Sequence, residues 1–472
     1  MTSIRASHAI ISRSQTRRYQ STFHAVQTSH NTYKYFLPVV SILGLAGAWW
    51  ATNSAESPPH LGSIPAEHLI ASRGPSKEEV TRMISQEAYT FKSRLGGVTR
   101  YDGTRVASNS PSEDRFVHGS FSSPWKDGKK CMAWGVFDGH AGWQTADLLQ
   151  KQLLPFVWHR LSQVKPNSEQ DAVSDEDVGT AITEAFVKLD DSIFKTAIDA
   201  SQGNLPLQDK LVNMAPAFAG SCALLSIYDP AACKLHTACT GDSRAVLGQQ
   251  NSKGVWEAIP LSIDQTGYNE AEIARLNQAH PGEKDIIVGG RVLGMMISRA
   301  FGDSRWKWSV EIQKDLKKRF GGPSNLNPKY KVLTPPYLTA EPVVTSTRID
   351  PGKPAFLIMA TDGLWDNLSS QQAVDLVAKW LDTPKESRKE NARASEKKYE
   401  PYDFSGPESN ELFKKEKTIV QDGNAAVHLV RNSLGGNHHE MIAGRLAYGS
   451  PFSRDVRDDV TVQVVFFNVL NN

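Results

Sequence analysis

The sequence predicts an α+β protein: antiparallel sheets covered by helices. Three observations lead there. Residues 221–248, SCALLSIYDPAACKLHTACTGDSRAVLG, read as three strands joined by a D-P-A-A turn and a tight G-D-S turn. Apolar runs at 132–137, 356–360 and 460–467 have the length of buried strands. Helical patterns lie between these groups, at 143–161, 177–200, 269–279, 371–381 and 424–434.

From the N-terminus, no acidic residue precedes Glu56, while Arg5, Arg13, Arg17, Arg18 and Lys34 are scattered among serines and threonines. Residues 1–34 thus have the composition of a mitochondrial transit peptide; a basic tail is the plainer reading. Residues 35–51, YFLPVVSILGLAGAWWA, carry no charge. They are slightly short for a bilayer span of about 20 residues, and the Trp49-Trp50 pair suits a membrane interface. Together the two segments predict import followed by stop-transfer. That gives an inner-membrane anchor, or an intermembrane-space form if the segment is clipped; a buried core helix is the alternative. Residues 52–75 are Pro/Ser-rich and read as a linker.

The folded part is expected over 76–472. Ser76 and Glu79 have capping-box spacing and open a helix toward Ala88. Residues 132–137 end in Asp138-Gly139-His140, and a helix over 143–161 follows. Residues 167–176 form an acidic loop. The helix over 177–200 gathers Ile182, Ala185, Phe186, Leu189 and Ile193 on one face. The hairpin strands come next, then a strand over 255–259 and a helix over 269–279. Insertions are expected near 305–336 and 385–422. Trp306, Trp308 and the basic residues 314–319 form either a docking flap or the insertion's own packing. Residues 385–422 are charged and poor in apolar side chains, which predicts a solvated loop. The chain closes on VTVQVVFF, 460–467.

Composition sets outer bounds. With 472 residues, 40% hydrophobic and 22% charged, the chain can bury a large core. A net charge of +2 gives no electrostatic case for nucleic acid. Cys131, Cys222, Cys233 and Cys239 form no C-x-x-C pair and sit in strand-like surroundings, so buried thiols are expected rather than a zinc or disulfide framework.

Acidic residues recur at strand ends: Glu113-Asp114 in a polar stretch, Asp138-Gly139 and Asp362-Gly363 after apolar runs, and Asp458-Asp459 before one. Singly, each suits a turn or a helix cap. As a set drawn from distant segments, they offer the oxygen ligands that Mg²⁺ or Mn²⁺ prefers. Two such cations about 3.5–4 Å apart suit in-line attack of water on a phosphate ester. His140, beside Asp138, is suited to proton transfer near neutral pH.

Six words occur in order: SEDR (112–115), VFDGHAG (136–142), GDSRA (241–245), SRAFGD (298–303), ATDGLWD (360–366) and RDDVTV (457–462). On these the chain resembles the metal-dependent 2C-type protein serine/threonine phosphatases, the PPM family, from about residue 91 onward. The resemblance implies a central β-sandwich of two antiparallel sheets with helices outside each, two Mg²⁺ or Mn²⁺, and a phosphorylated protein as substrate. It also implies roles. Asp138 bridges the metals, the Gly139 carbonyl binds one, and Asp362 and Asp458 bind the other. Glu113 and Asp114 hold metal-bound waters, and His140 is the general acid. Gly241 to Arg244, Arg299 and Gly302-Asp303 brace the site.

Two positions depart from the family pattern. Asn109 stands where many members carry a phosphate-gripping arginine; a neutral amide cannot make that charge-assisted fork. Ala217 stands where many carry an aspartate, which speaks against a third metal with that ligand. The word N-x-P-x-E-D-R at 109–115 and the run from Arg291 to Trp308 resemble the mitochondrial pyruvate dehydrogenase phosphatase catalytic subunits. That implies phosphorylated pyruvate dehydrogenase E1 alpha as a candidate substrate, and with it the matrix, whereas segment 35–51 favours the inner membrane or intermembrane space. The alternative function is a membrane-tethered pseudophosphatase or adaptor. Its mark would be a missing metal carboxylate, and Asp138, Asp362 and Asp458 are all present. A small-molecule or nucleic-acid phosphoesterase is disfavoured by the near-neutral charge, and no C-x₅-R word supports phosphotyrosine chemistry.

Overall fold

The structure is a computed structural model, and it describes residues 74–125, 127–165, 173–326, 328–393 and 413–469. The leader, the apolar segment 35–51 and most of the linker lie outside the described residues. Among the described residues no helix is long and apolar enough to cross a membrane.

Two antiparallel sheets form the centre. One is built from β1 (Tyr89–Lys92), β2 (Val98–Val106), β7 (Arg244–Gln250), β8 (Trp256–Pro260), β10 (Ala355–Ala360) and β11 (Val460–Phe467), in the order β1-β2-β11-β10-β7-β8. The other is built from β3 (Arg115–Ser122), β4 (Lys130–Phe137), β5 (Ala223–Asp229), β6 (Lys234–Thr240) and β9 (Val343–Arg348), in the order β9-β6-β5-β4-β3. Helices α1 (Lys77–Ser85), α7 (Ser370–Asp382), α8 (Ala425–Leu434) and α9 (His439–Ala447) lie outside the first sheet. Helices α2 (Gln144–Leu161), α3 (Asp175–Gln202) and α4 (Leu207–Phe218) lie outside the second.

The strands read as unbroken apolar runs because both faces of each sheet are covered. On β4, Met132, Trp134 and Val136 face the opposite sheet, while Cys131, Ala133 and Phe137 face the helices. On β10, Leu357 and Met359 point inward, and Phe356 and Ile358 lie under α7 and α8. That alternation follows from the two-residue repeat of a strand. The capping box at Ser76 and Glu79 forms as its spacing predicts.

Some expectations need revision. Helix α9 follows the helix expected to be last. The ends of 385–422 are ordered: Lys385–Arg393 is a mostly exposed helix, held down by buried Arg388, which lies 3.8 Å from the Trp380 ring centroid. Asp422 is buried against Arg431 at 2.8 Å. Trp306 is buried in a small separate core and Trp308 against Phe194 and Phe218, so both tryptophans serve packing. No cysteine is in a disulfide; three are buried and Cys233 is partly exposed.

The small core is built around α5 (Glu270–Ala279), with Leu276, Leu293, Trp306 and Tyr337. It is tied to the sandwich side by Glu272. That buried carboxylate accepts from Arg299 at 2.6 Å and from Ser298 Oγ at 2.8 Å. Arg299 also donates to the Glu341 carbonyl at 2.7 Å. Burial alone would raise the Glu272 carboxyl, but the guanidiniums of Arg299 and Arg275 pull it down to about 2. A carboxyl depressed in the fold contributes stability that is present above its ordinary value of 4.5 and lost as pH falls through about 2. Glu272→Gln is therefore expected to cost about 3 kcal/mol at neutral pH. Thermal melts should show that deficit shrinking between about pH 4.5 and pH 3; a deficit unchanged by pH would mean that the ion pair is not its source.

Candidate metal centre and active site

Antiparallel register brings the acidic strand ends to one end of the sandwich. Arg115 pairs with Phe137, so Glu113-Asp114 before β3 and Asp138 after β4 lie side by side. Ala360 pairs with Val462 on one side and Arg244 on the other, so Asp362, Asp458-Asp459 and the turn of Asp242 are also neighbours. Oxygens of Asp138, Asp242 and Asp362 all lie within 4.8 Å of one another, and each residue is half-buried.

Three carboxylates that close repel. Burial, then the charges of Asp362, Asp114 and Asp242, raises the Asp138 carboxyl well above its ordinary value. Burial and Asp362 push Asp242 up to about 7. Burial also raises Asp362, whose Oδ1 is buried and has no hydrogen-bond partner among the described residues. Asp114 is fully buried and pushed up to about 8 by burial and by Asp459. Its Oδ2 accepts from Thr361 Oγ1 at 3.0 Å and Thr461 Oγ1 at 2.6 Å, while its Oδ1 is also unpartnered among the described residues. Orphaned, mutually repelling carboxylate oxygens fit hard divalent cations, which neutralise the charge and complete the coordination.

The predicted residues divide by position. Asp138 and Asp362 belong to the tight group. Asp242 joins them although the sequence reading gave it a bracing part, and Cys222 Sγ lies 3.3 Å from its Oδ1. Asp458 is outside that group and is ion-paired to Arg454. Its neighbour Asp459 is buried and holds the loop 108–113: Oδ1 accepts from the Asn109 amide at 2.9 Å, and Oδ2 accepts from the Glu113 amide at 2.7 Å and Ser112 Oγ at 3.0 Å. Asn109 Nδ2 donates to Glu113 Oε2 at 2.8 Å, so the amide is spent on positioning Glu113. Burial raises the Glu113 carboxyl. Gly139 is needed because a Cβ there would strike the Glu113 carbonyl. Ala217 is buried in the apolar core between α3, α4 and the second sheet.

His140 Nε2 lies 2.7 Å from Asp303 Oδ2, a contact across 163 positions of sequence. Burial alone would lower the imidazole's pKa, but the Asp303 carboxylate raises it above its ordinary value. Gly220 makes room for the pair, since a Cβ there would strike His140 Nε2. The Asp303 segment is fixed in turn: the Gly302 amide donates to Asp190 Oδ1 at 2.8 Å, and the Asp303 amide to the Ala219 carbonyl at 2.9 Å. The words GDSRA and SRAFGD thus do more than brace, since each places one carboxylate at the site. Their charged residues Arg244 and Arg299 do brace, on Asp264 at 2.5 Å and on Glu272.

The family profile for protein phosphatase 2C matches residues 102–400, more than half of the chain. A protein phosphatase 2C homolog of Schizosaccharomyces pombe is 39% identical over 446 residues, covering 93% of this chain and 96% of its own. The mitochondrial [pyruvate dehydrogenase [acetyl-transferring]]-phosphatase 1 of Saccharomyces cerevisiae is 35% identical, covering 82% of this chain and 72% of its own. The human mitochondrial phosphatase 2 of the same name is 32% identical, covering 83% of each chain. The chain belongs to the protein phosphatase 2C family, a metal-dependent family, and is a protein serine/threonine phosphatase.

Proposed function

We propose that this phosphatase acts on phosphoserine and phosphothreonine of mitochondrial proteins, with phosphorylated pyruvate dehydrogenase E1 alpha as its first candidate substrate. The observation that carries the chemistry is the Asp138–Asp242–Asp362 group, three carboxylates within 4.8 Å. Asp138, Asp242, Asp362, Asp458 and the Gly139 carbonyl would hold two Mg²⁺ or Mn²⁺, with Glu113 and Asp114 holding waters around them. Bound there, the cations would acidify a water and neutralise charge on the phosphoryl oxygens. Asn109 orients Glu113 through its amide. Asp303 engages His140 Nε2 and leaves Nδ1 to deliver a proton to the departing serine or threonine oxygen. The basic, acid-free leader supports the location, as does the word mitochondrial in the names of two relatives. Segment 35–51 would then sort the enzyme to the inner membrane or intermembrane space, while the substrate reading favours the matrix.

The test uses the full chain. Phosphate release from phosphorylated pyruvate dehydrogenase should require Mg²⁺ or Mn²⁺ and stop with EDTA. Protease protection in isolated mitochondria, with and without rupture of the outer membrane, separates matrix from intermembrane space. Turnover of a generic phosphoserine peptide without turnover of pyruvate dehydrogenase would remove that substrate and leave the phosphatase intact.

A further inference from the structure

The site described above is lined by negative side chains, yet its substrate carries a phosphate dianion. Asp138, Asp242 and Asp362 converge there, and the Asn109 amide is neutral and already donates to Glu113. Most guanidiniums around the site are committed elsewhere. Arg457 Nη1 donates to the Arg445 and Tyr448 carbonyls at 2.6 and 3.1 Å, and its Nη2 to the Ala107 carbonyl at 3.1 Å. Arg115 Nη1 donates to the Ser112 and Asp114 carbonyls, both at 2.8 Å. Arg105 spans Glu87 and the Asp114 carbonyl. Arg244 is forked onto Asp264 and Arg299 onto Glu272.

Arg454 differs. It lies on the single turn Phe452–Asp455, just before the acidic pair. Its guanidinium is paired with Asp458, which the proposed metal centre would use as a ligand, and its side chain is 43% exposed. The turn is fixed against the loop of Asn109: Ser453 is fully buried and its Oγ donates to the Ser108 carbonyl at 2.6 Å.

We infer that Arg454 is the phosphate-gripping residue of this active site, presenting its two-pronged guanidinium to the oxygens of the substrate phosphate. This rests on the metal-centre reading above, in which Asp458 serves a cation. With Asp458 so engaged, the donors it now occupies are available to an arriving anion. A planar fork with parallel N–H groups matches two phosphate oxygens, which a lysine ammonium cannot do.

The experiment compares full-length wild type, Arg454→Ala and Arg454→Lys at saturating Mn²⁺. It measures the KM for a phosphoserine peptide and the inhibition constant of inorganic phosphate, and by calorimetry the affinity for Mn²⁺ without phosphate. Arg454→Ala should weaken phosphate binding about tenfold or more, the loss of charge-assisted hydrogen bonds. Arg454→Lys should recover part of it, and Mn²⁺ affinity should hold in both variants. Unchanged phosphate inhibition and KM would overturn the inference. So would a fall in Mn²⁺ affinity alone, because Arg454 would then act only by positioning Asp458. Wild type without metal-dependent turnover would instead sink the reading on which the inference rests.

Discussion

Asp138→Asn is expected to lower kcat on a phosphoserine peptide about 10³-fold, on the scale of losing a principal electrostatic contact of the transition state. Asp138 is at the centre of the acidic strand ends, with Asp242 and Asp362 in its own group and Asp114 close enough to affect its charge. An amide there removes one anionic ligand and turns a donor toward a site built for cations. The same change should have the opposite effect on metal-free stability. Burial and the neighbouring carboxylates raise the Asp138 carboxyl in the folded protein. Stability from a group raised in this way is fully present below its unfolded value, here 3.8, and is lost as pH rises through the folded one. Asp242 at about 7 and Asp114 at about 8 act in the same direction. In EDTA, wild type should therefore lose stability between about pH 4 and pH 8 through this cluster, and Mn²⁺ should restore it. Asp138→Asn should melt higher than wild type in EDTA at about pH 8, with a smaller response to Mn²⁺. Equal melting of the two proteins under those conditions would mean that the carboxylates do not strain the empty site.

His140→Ala is expected to slow phosphoserine hydrolysis about 10²-fold, the low end of general acid catalysis. A serine alkoxide is a poor leaving group and needs a proton as it departs. The p-nitrophenolate ion leaves without one. The variant should therefore retain most of its turnover on p-nitrophenyl phosphate while losing it on the peptide. Asp303→Asn should show the same selectivity more weakly, since Asp303 acts only through its 2.7 Å contact with His140 Nε2. Equal losses on both substrates would assign His140 to holding the site's shape rather than to proton transfer.

The strand Val460–Phe467 was legible to the residue, and the strands flanking the D-P-A-A and G-D-S turns in outline, because apolar runs bounded by turn residues have few other solutions; only the D-P-A-A turn closes a hairpin, whereas the G-D-S turn carries the chain from β6 in one sheet to β7 in the other. The carboxylates at strand ends were legible for a related reason: a polar residue closing a buried strand needs an account. Strand β2, VTRYDGTRV, was harder. Its Asp102 and Thr104 are buried, the first against Arg100 and Thr90 and the second on the Ile84 carbonyl, so polar partners hide the strand pattern. Helix α4 was obscured by Pro216 within it. Asp242 passed for a turn residue, since G-D-S is what a tight turn requires whether or not its carboxylate faces a metal. The His140–Asp303 pair and the division of labour between Asp458 and Asp459 depend on contacts between distant segments, which local periodicity does not carry.

Asp459 reaches back across 351 positions to Ser108, and the strand it introduces is an interior member of its sheet, between β2 and β10. The chain's last strand must therefore be in place before the loop carrying Glu113 can take its shape. Pairings of such long range form late in folding. A nascent chain, with residues 460–467 still inside a ribosome, has the words of a phosphatase and no assembled site. The enzyme stays silent until that strand has been made and paired, with no separate inhibitor required.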